Sequence, residues 1–267
     1  MTSSKKKISE LSNIVYNQMG SLSLRSNRFL QSSGFLRKSL LFSLFGGLLS
    51  ILLAQNSHAQ ISFEPTSEWK VVKESKKVQL MSRWIVIGDS LKTRQIRIKA
   101  NVKADVSDIL YCLRSEEALN QWKKNARKFE VLDEKEGQWV FYTEFAIPRL
   151  FPQQDLVLQY QVKEEAEKTL VDAYSIPDYL DRTKKVKRQE KYEEHWVIRP
   201  IDGENVEVDF SSMAPTKPLL PRSVQDKFIH PMLINSFAEL KSQAEKRTLK
   251  RANEESTDPS GLLSTGI

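Results

Sequence analysis

The chain has 267 residues, 40% of them hydrophobic, and a formal net charge of +7 from 41 Lys and Arg against 34 Asp and Glu. Residues 1–59 hold seven of those bases (Lys5, Lys6, Lys7, Arg25, Arg28, Arg37, Lys38) and one acid, Glu10, so residues 60–267 keep 34 bases against 33 acids. A nearly neutral body offers no phosphate-tracking surface, which sets nucleic acid aside as a partner, and the single cysteine, Cys112, excludes an intramolecular disulfide.

In chain order, Met1–Leu36 is polar and rich in Ser and Asn, longer than an export signal needs in front of its apolar core. A start at Met19 would leave a more ordinary leader; a disordered cytosolic extension is the other reading. Ser39–Ala54, SLLFSLFGGLLSILLA, is sixteen uncharged residues directly behind Arg37 and Lys38. Ser57-His58-Ala59 then puts small residues at the two positions a signal peptidase reads, making Gln60 the expected new amino terminus. The run is shorter than the ~20 apolar residues that cross a bilayer. The expectation is export, periplasmic or secreted, with cleavage near Ala59. An uncleaved amino-terminal membrane anchor and a buried core helix are the alternatives.

Trp69–Glu74 and Val78–Ile87, rich in Val, Ile and Trp, read as strands, with Gly88-Asp89-Ser90 as a turn. Leu91–Val102 alternates, Ile96, Ile98, Ala100 and Val102 against Arg97, Lys99 and Asn101, as a half-buried antiparallel strand does. Asp105 is placed to cap a helix from Val106, where Val106, Ile109, Leu110 and Leu113 make an apolar stripe. Cys112 in that helix reads as a small buried hydrophobe. Glu116–Trp122 is a second short helical stretch.

Six strand patterns follow: Phe129–Leu132, Gln138–Phe145, Leu156–Val162, Thr169–Tyr174, Tyr192–Ile198 and Val206–Phe210. Turns such as Glu134-Lys135-Glu136-Gly137 and Asp202-Gly203-Glu204-Asn205 separate them, which suits an antiparallel meander. Arg222–Arg251 is the longest helical pattern. Val224, Phe228, Met232, Leu233, Phe237, Leu240 and Ala244 recur there at spacings of three and four, and Pro231 implies a kink or a late start. The tail, 251–267, is polar and reads as flexible. The order predicts one α+β domain over 60–250, an antiparallel sheet with its helices gathered on one face.

This order, with four local patterns, resembles the START lipid-transfer domains of the Bet v 1-like, helix-grip (SRPBCC) superfamily. The patterns are Trp122 in EEALNQWKKNARKFEVLD, the strand–proline-loop–strand VFYTEFAIPRLFPQQDLVL, HWVIRP with Trp196 and Pro200, and APTKPLLPRSVQDKFIHPMLINSFAELK before and into the last helix. Gln154 stands where the family usually has arginine before Asp155, and Lys217 or Pro218 replaces a glycine. The resemblance covers Trp69 to Ala244. It implies a curved sheet wrapped around the last helix, enclosing a cavity for a hydrophobic ligand gated by the proline loop and that helix.

On this reading one face of each strand lines the cavity: Ile96, Ile98 and Ala100; Leu156, Leu158 and Tyr160; Val206, Val208 and Phe210. Gln138–Phe145 is apolar on both faces, so alternation cannot choose; Tyr142 and Phe145 are candidate lining residues there, as are Phe228 and Met232 on the last helix. A filled core would use the same residue types. The loop Ala146–Gln153 carries Ile147, Leu150 and Phe151 between Pro148 and Pro152, as a lid at the mouth, a membrane-docking element or a cap on the core.

Arg94, Arg97, Asp155 and Asp172 read as solvated or ion-paired rather than ligand-binding, with Asp155 holding the loop. The run TKKVKRQEK, Thr183–Lys191, reads as a solvated basic segment able to meet anionic lipid head groups. His195 and His230 lack any HExxH, GxSxG or CxxC context, so no catalytic residue, metal or cofactor is expected. The expected function is non-enzymatic binding, and transfer, of a lipid or other hydrophobic small molecule by a monomer in transient contact with a membrane. The alternatives are a cyclase- or hydratase-type enzyme of the same superfamily, using Asp172, Tyr142 or His195 as acid and base, and a ligand-free scaffold with an aromatic-filled interior.

Overall fold

The computed structural model describes residues 61–124, 126–147, 152–215 and 221–257. The expected leader, Pro148, Leu150 and Phe151 of the expected lid, Lys217 and Pro218, and the chain after Thr257 lie outside these. The described elements are β1 (Phe63–Pro65), β2 (Lys70–Ser75), β3 (Val78–Ile87), β4 (Leu91–Val102), α1 (Val106–Arg114), α2 (Glu116–Trp122), β5 (Ala126–Lys135), β6 (Gln138–Phe145), β7 (Gln153–Glu165), β8 (Lys168–Ser175), β9 (Val186–Arg188), β10 (Glu193–Pro200), β11 (Val206–Met213) and α3 (Arg222–Thr257). Among them no helix is long and apolar enough to cross a membrane.

One sheet runs β1-β3-β4-β11-β10-β8-β7-β6-β5, with β2 beside β3 and β9 beside β7. Every pairing is antiparallel except β7–β9. The expected meander is therefore β5 to β8 followed by β10 and β11, and β11 returns to lie beside β4. Ile98 then faces across from Phe210 and Leu80, with Ala100 in register with Val208 and Val78. These residues share the face that packs under α1, α2 and α3.

Turn chemistry follows sequence at Gly88 and Gly137, which take φ of +57° and +68° between paired strands. Lys76 and Lys77 do the same without glycine's freedom, at φ 56° and 59°, in the two-residue link between β2 and β3. Lys76 donates from Nζ to Asn235 Oδ1 on α3 at 2.9 Å, so this strained hairpin is tied to the helix.

The helices depart from expectation in three places. Asp105 occupies the cap position of α1 but makes no capping bond, because its carboxylate is taken by Arg251 of α3. Ser115 instead both ends α1 and caps α2, its Oγ accepting from the Ala118 N–H. α3 starts at Arg222, before Pro231, and continues past Arg251 to Thr257, so Pro231 lies inside a helix rather than at its start. Proline brings no N–H, which leaves the Lys227 carbonyl without its helical donor.

Candidate functional site: the enclosed face beneath the long helix

The face that β4, β6, β7, β10 and β11 turn toward the helices is built by alternation. Ile98, Ala100, Leu156, Leu158, Tyr160, Val208 and Phe210 are buried in one cluster with Trp139, Phe141, Trp196 and Ile198; Ile96 and Phe145 pack against it. Strands and helices meet at an aromatic group. Trp196 stacks on Phe237 of α3 at 5.5 Å, and Trp122 at the end of α2 stands edge-on to both. Phe210 lies 4.5 Å from Trp196. Trp122 is fixed by its indole N–H donating to the Cys112 carbonyl at 2.8 Å. Burial pushes the Cys112 thiol up to about 12, so it stays protonated within the core.

A carboxylate is enclosed on this same face. Glu194 shares parity with Trp196 and Ile198 on β10 and is 4% exposed. Tyr160 donates to it at 2.8 Å, Tyr192 at 3.1 Å and the Trp196 indole at 3.3 Å. Lys123, just past α2, brings its ammonium to 4.0 Å from Glu194 and 5.1 Å from the centre of the Phe141 ring. Burial together with the adjacent Glu194 charge holds both tyrosine hydroxyls well above the usual phenol range, so they act as donors. Sequence reading passed over Glu194, although its alternation with Trp196 and Ile198 places an acid among core residues.

Three expected lining residues stand elsewhere. Tyr142 belongs to a second, smaller core with Val140 and Val157 on the opposite face of the sheet, against Leu132, Ile176 and Leu180. Both faces of β6 are covered, which is why its alternation is uninformative. Phe228 is 70% exposed and Met232 lies outside the core cluster. Phe228 and Phe237 are nine residues apart, about two and a half turns at 3.6 residues per turn, which puts them on opposite sides of α3. The enclosed side of the helix carries Leu233, Ile234, Phe237, Leu240 and Ala244, while Val224 and Phe228 continue an outward stripe. Of the proline loop, Ile147 is half-buried and Pro152 exposed, and Gln153 closes the loop base by donating to the Ile147 carbonyl at 3.1 Å.

The charged residues singled out in sequence are each paired. Arg94 binds Asp226 of α3, Arg97 binds Asp209, Asp155 binds Arg188, and Asp172 accepts from the His195 Nδ1–H at 2.7 Å. Asp172 and His195 sit on the sheet face away from Trp196, as does Tyr142, so the residues expected to serve an enzyme do not share the enclosed face. Among the described residues no group of His, Cys, Asp and Glu is placed to hold a metal ion.

The architecture is found in solved structures. A STAR-related lipid transfer protein fragment from Xanthomonas axonopodis superposes with a TM-score of 0.59 at 20% identity, covering 67% of this chain and 99% of that one. The chain has the START fold. Human StAR-related lipid transfer protein 5 gives a TM-score of 0.54 at 15% identity over 79% of this chain and 99% of its own. Human STARD10 gives 0.54 at 11% identity over 88% of each. No family profile and no curated protein sequence matches the chain. In START terms, β6, the proline loop and β7 are consecutive, and α3 is the helix that the sheet grips.

Proposed function

We propose that this protein binds a lipid or other hydrophobic small molecule beneath α3 and carries it between membranes, without catalysing a reaction. The observation that carries this reading is the enclosed face itself, an apolar surface under a gripping helix in the START fold, broken by one buried polar cluster at Glu194. Burying each methylene of an acyl chain there is worth ~0.8 kcal/mol, so affinity needs no reactive group.

Two surface features support delivery at a bilayer. Val224 and Phe228 face outward from the first turns of α3. Nearby, the half-exposed ring of Trp84 lies under the Arg222 guanidinium and the Lys92 ammonium, each 5.2 Å from it. An aromatic side chain flanked by cations suits the interface of an anionic membrane. The lysines of Thr183–Lys191 are exposed and add to that attraction. Export follows from Ser39–Ala54 and Ser57-His58-Ala59, with Gln60 as the mature terminus or, uncleaved, a tether to the membrane.

Native mass spectrometry and solvent extraction of protein purified from the export compartment test the reading. A co-purifying hydrophobic molecule, released on denaturation, is expected, with amino-terminal sequencing that begins at Gln60. Protein that emerges ligand-free and takes up no fluorescent lipid from vesicles would overturn it.

A further inference from the structure

The polar cluster on the enclosed face is not self-contained. Glu194 is already engaged: its two oxygens accept three hydrogen bonds, from Tyr160, Tyr192 and Trp196. Beside it two donors are left over. The indole N–H of Trp139, a residue 3% exposed, has no acceptor, although the ring stacks on Tyr160 at 4.9 Å and 6°. The Lys123 ammonium lies 4.0 Å from Glu194, beyond hydrogen-bond distance, and is largely enclosed between the Trp122 and Phe141 rings. Further along the same face of β6 the Thr143 hydroxyl is also buried without a partner.

Buried donors find partners in folded proteins, and one left unmatched points to a group that arrives from outside. Charge narrows what that group is. Glu194 and Lys123 already balance one another. An incoming carboxylate or phosphate would set a second anion against Glu194, and an ammonium would set a second cation against Lys123. A neutral oxygen accepts from both spare donors and adds no charge to a low-dielectric site. Resting on the carrier reading above, we propose that Trp139 and Lys123, held by the Tyr160–Glu194–Tyr192 chain, form the head-group end of the ligand site, selecting a neutral amphiphile whose head offers a hydroxyl or ester carbonyl oxygen.

The test is uptake from phosphatidylcholine vesicles of three probes labelled with pyrene at the end of an acyl chain or alkane: a diacylglycerol, a phosphatidic acid and an alkane without oxygen. Wild-type protein should prefer the diacylglycerol by at least about ten-fold over either other probe, as sites built around buried donors discriminate strongly. Trp139→Phe removes the indole N–H together with one ring of the bicycle; it should weaken diacylglycerol uptake relative to alkane uptake about three- to ten-fold, the worth of one buried hydrogen bond. Lys123→Met should act in the same direction.

Trp139→Phe shortens a buried ring system stacked on Tyr160 and should lower the thermal midpoint whatever its role, so the deciding readout is the ratio of diacylglycerol to alkane uptake, which a merely structural tryptophan would leave intact. Best uptake of phosphatidic acid or of the alkane, or a preference untouched by both substitutions, overturns the assignment and leaves the carrier reading standing. Wild-type protein that takes up none of the three overturns both.

Discussion

Arg188 closes on Asp155 through two hydrogen bonds of 2.8 and 3.0 Å, with both side chains 2% exposed. The guanidinium also donates to the Pro177 carbonyl at 2.6 Å and the Leu180 carbonyl at 3.3 Å. This one side chain therefore pins β9 to β7 and holds the turn after β8 across the outer face of the sheet, over Tyr142 and Val157. The arginine that neutralises Asp155 thus comes from the basic run.

Removing half of a buried ion pair strands the other charge, at a cost of roughly 3–5 kcal/mol. Arg188→Met should therefore lower the unfolding free energy by about that amount in urea titrations. Arg188→Met with Asp155→Leu should recover part of the loss, since no uncompensated charge remains. A single substitution costing under about 1 kcal/mol, the worth of an exposed pair, would refute the anchoring role.

His195 makes stability depend on pH in the alkaline direction. Burial disfavours its protonated form, but Asp172 at 2.7 Å and Glu193 at 3.5 Å outweigh that and raise its pKa from 6.5 to about 9. A group whose folded value is raised contributes fully below its unfolded value and loses the contribution as pH passes its folded value. Stability from this site should thus be complete below about pH 6.5 and decline toward pH 9. Thermal melts across that window should show the decline in wild type and a flatter curve in His195→Gln; parallel curves would exclude the linkage.

Strands facing water on one side were legible by alternation: Val78–Ile87 and Leu91–Val102 have the ends that alternation and turn residues assign, and Gln138–Phe145 has the ends its flanking turns assign. Legibility failed where tertiary packing supplies the second face. β6 is covered on both sides, so Tyr142 could not be told from Phe141. β9 is three residues pairing in parallel with a strand far back in sequence, which leaves no periodicity to read. On α3 the apolar residues drift round the helix, an enclosed stripe ending near Leu233 and an outward one through Phe228. Spacings of three and four alone merge the two. Glu194 was readable by parity, but its neighbours Tyr192 and Trp196 looked complete as a core strand.

The rear of α3 is fastened by Asp108 of α1, which is fully buried and accepts from Thr248 Oγ1 at 2.6 Å and from Arg251 at 3.0 Å, with Arg247 Nε 3.1 Å away. Asp108→Ala takes the acceptor from the Thr248 hydroxyl and opens a buried space, while Arg251 keeps Asp105; it should cost about 1–3 kcal/mol, as loss of a buried hydrogen-bond partner does. Guanidinium titration checks this. A loss within about 0.5 kcal/mol, as for an ordinary surface change, would show that the rear end is not anchored there.

The front of α3 is held more lightly. Arg94 pairs with Asp226, where burial opposes ionisation but the arginine still holds the carboxyl below its ordinary range. Past it, Pro231 interrupts the backbone ladder. Lipid exchange that opens from this end has to break the Arg94–Asp226 pair while the Asp108 end stays shut. Asp226→Asn should then speed transfer of a fluorescent lipid between vesicles severalfold, with a stability change within about 1 kcal/mol, as for a partly exposed pair. Phe228→Glu should slow transfer to anionic vesicles without altering the melting temperature, because a 70% exposed ring contributes little to the core. Slower transfer in Asp226→Asn, or unchanged transfer in Phe228→Glu, would place the exit elsewhere on the molecule.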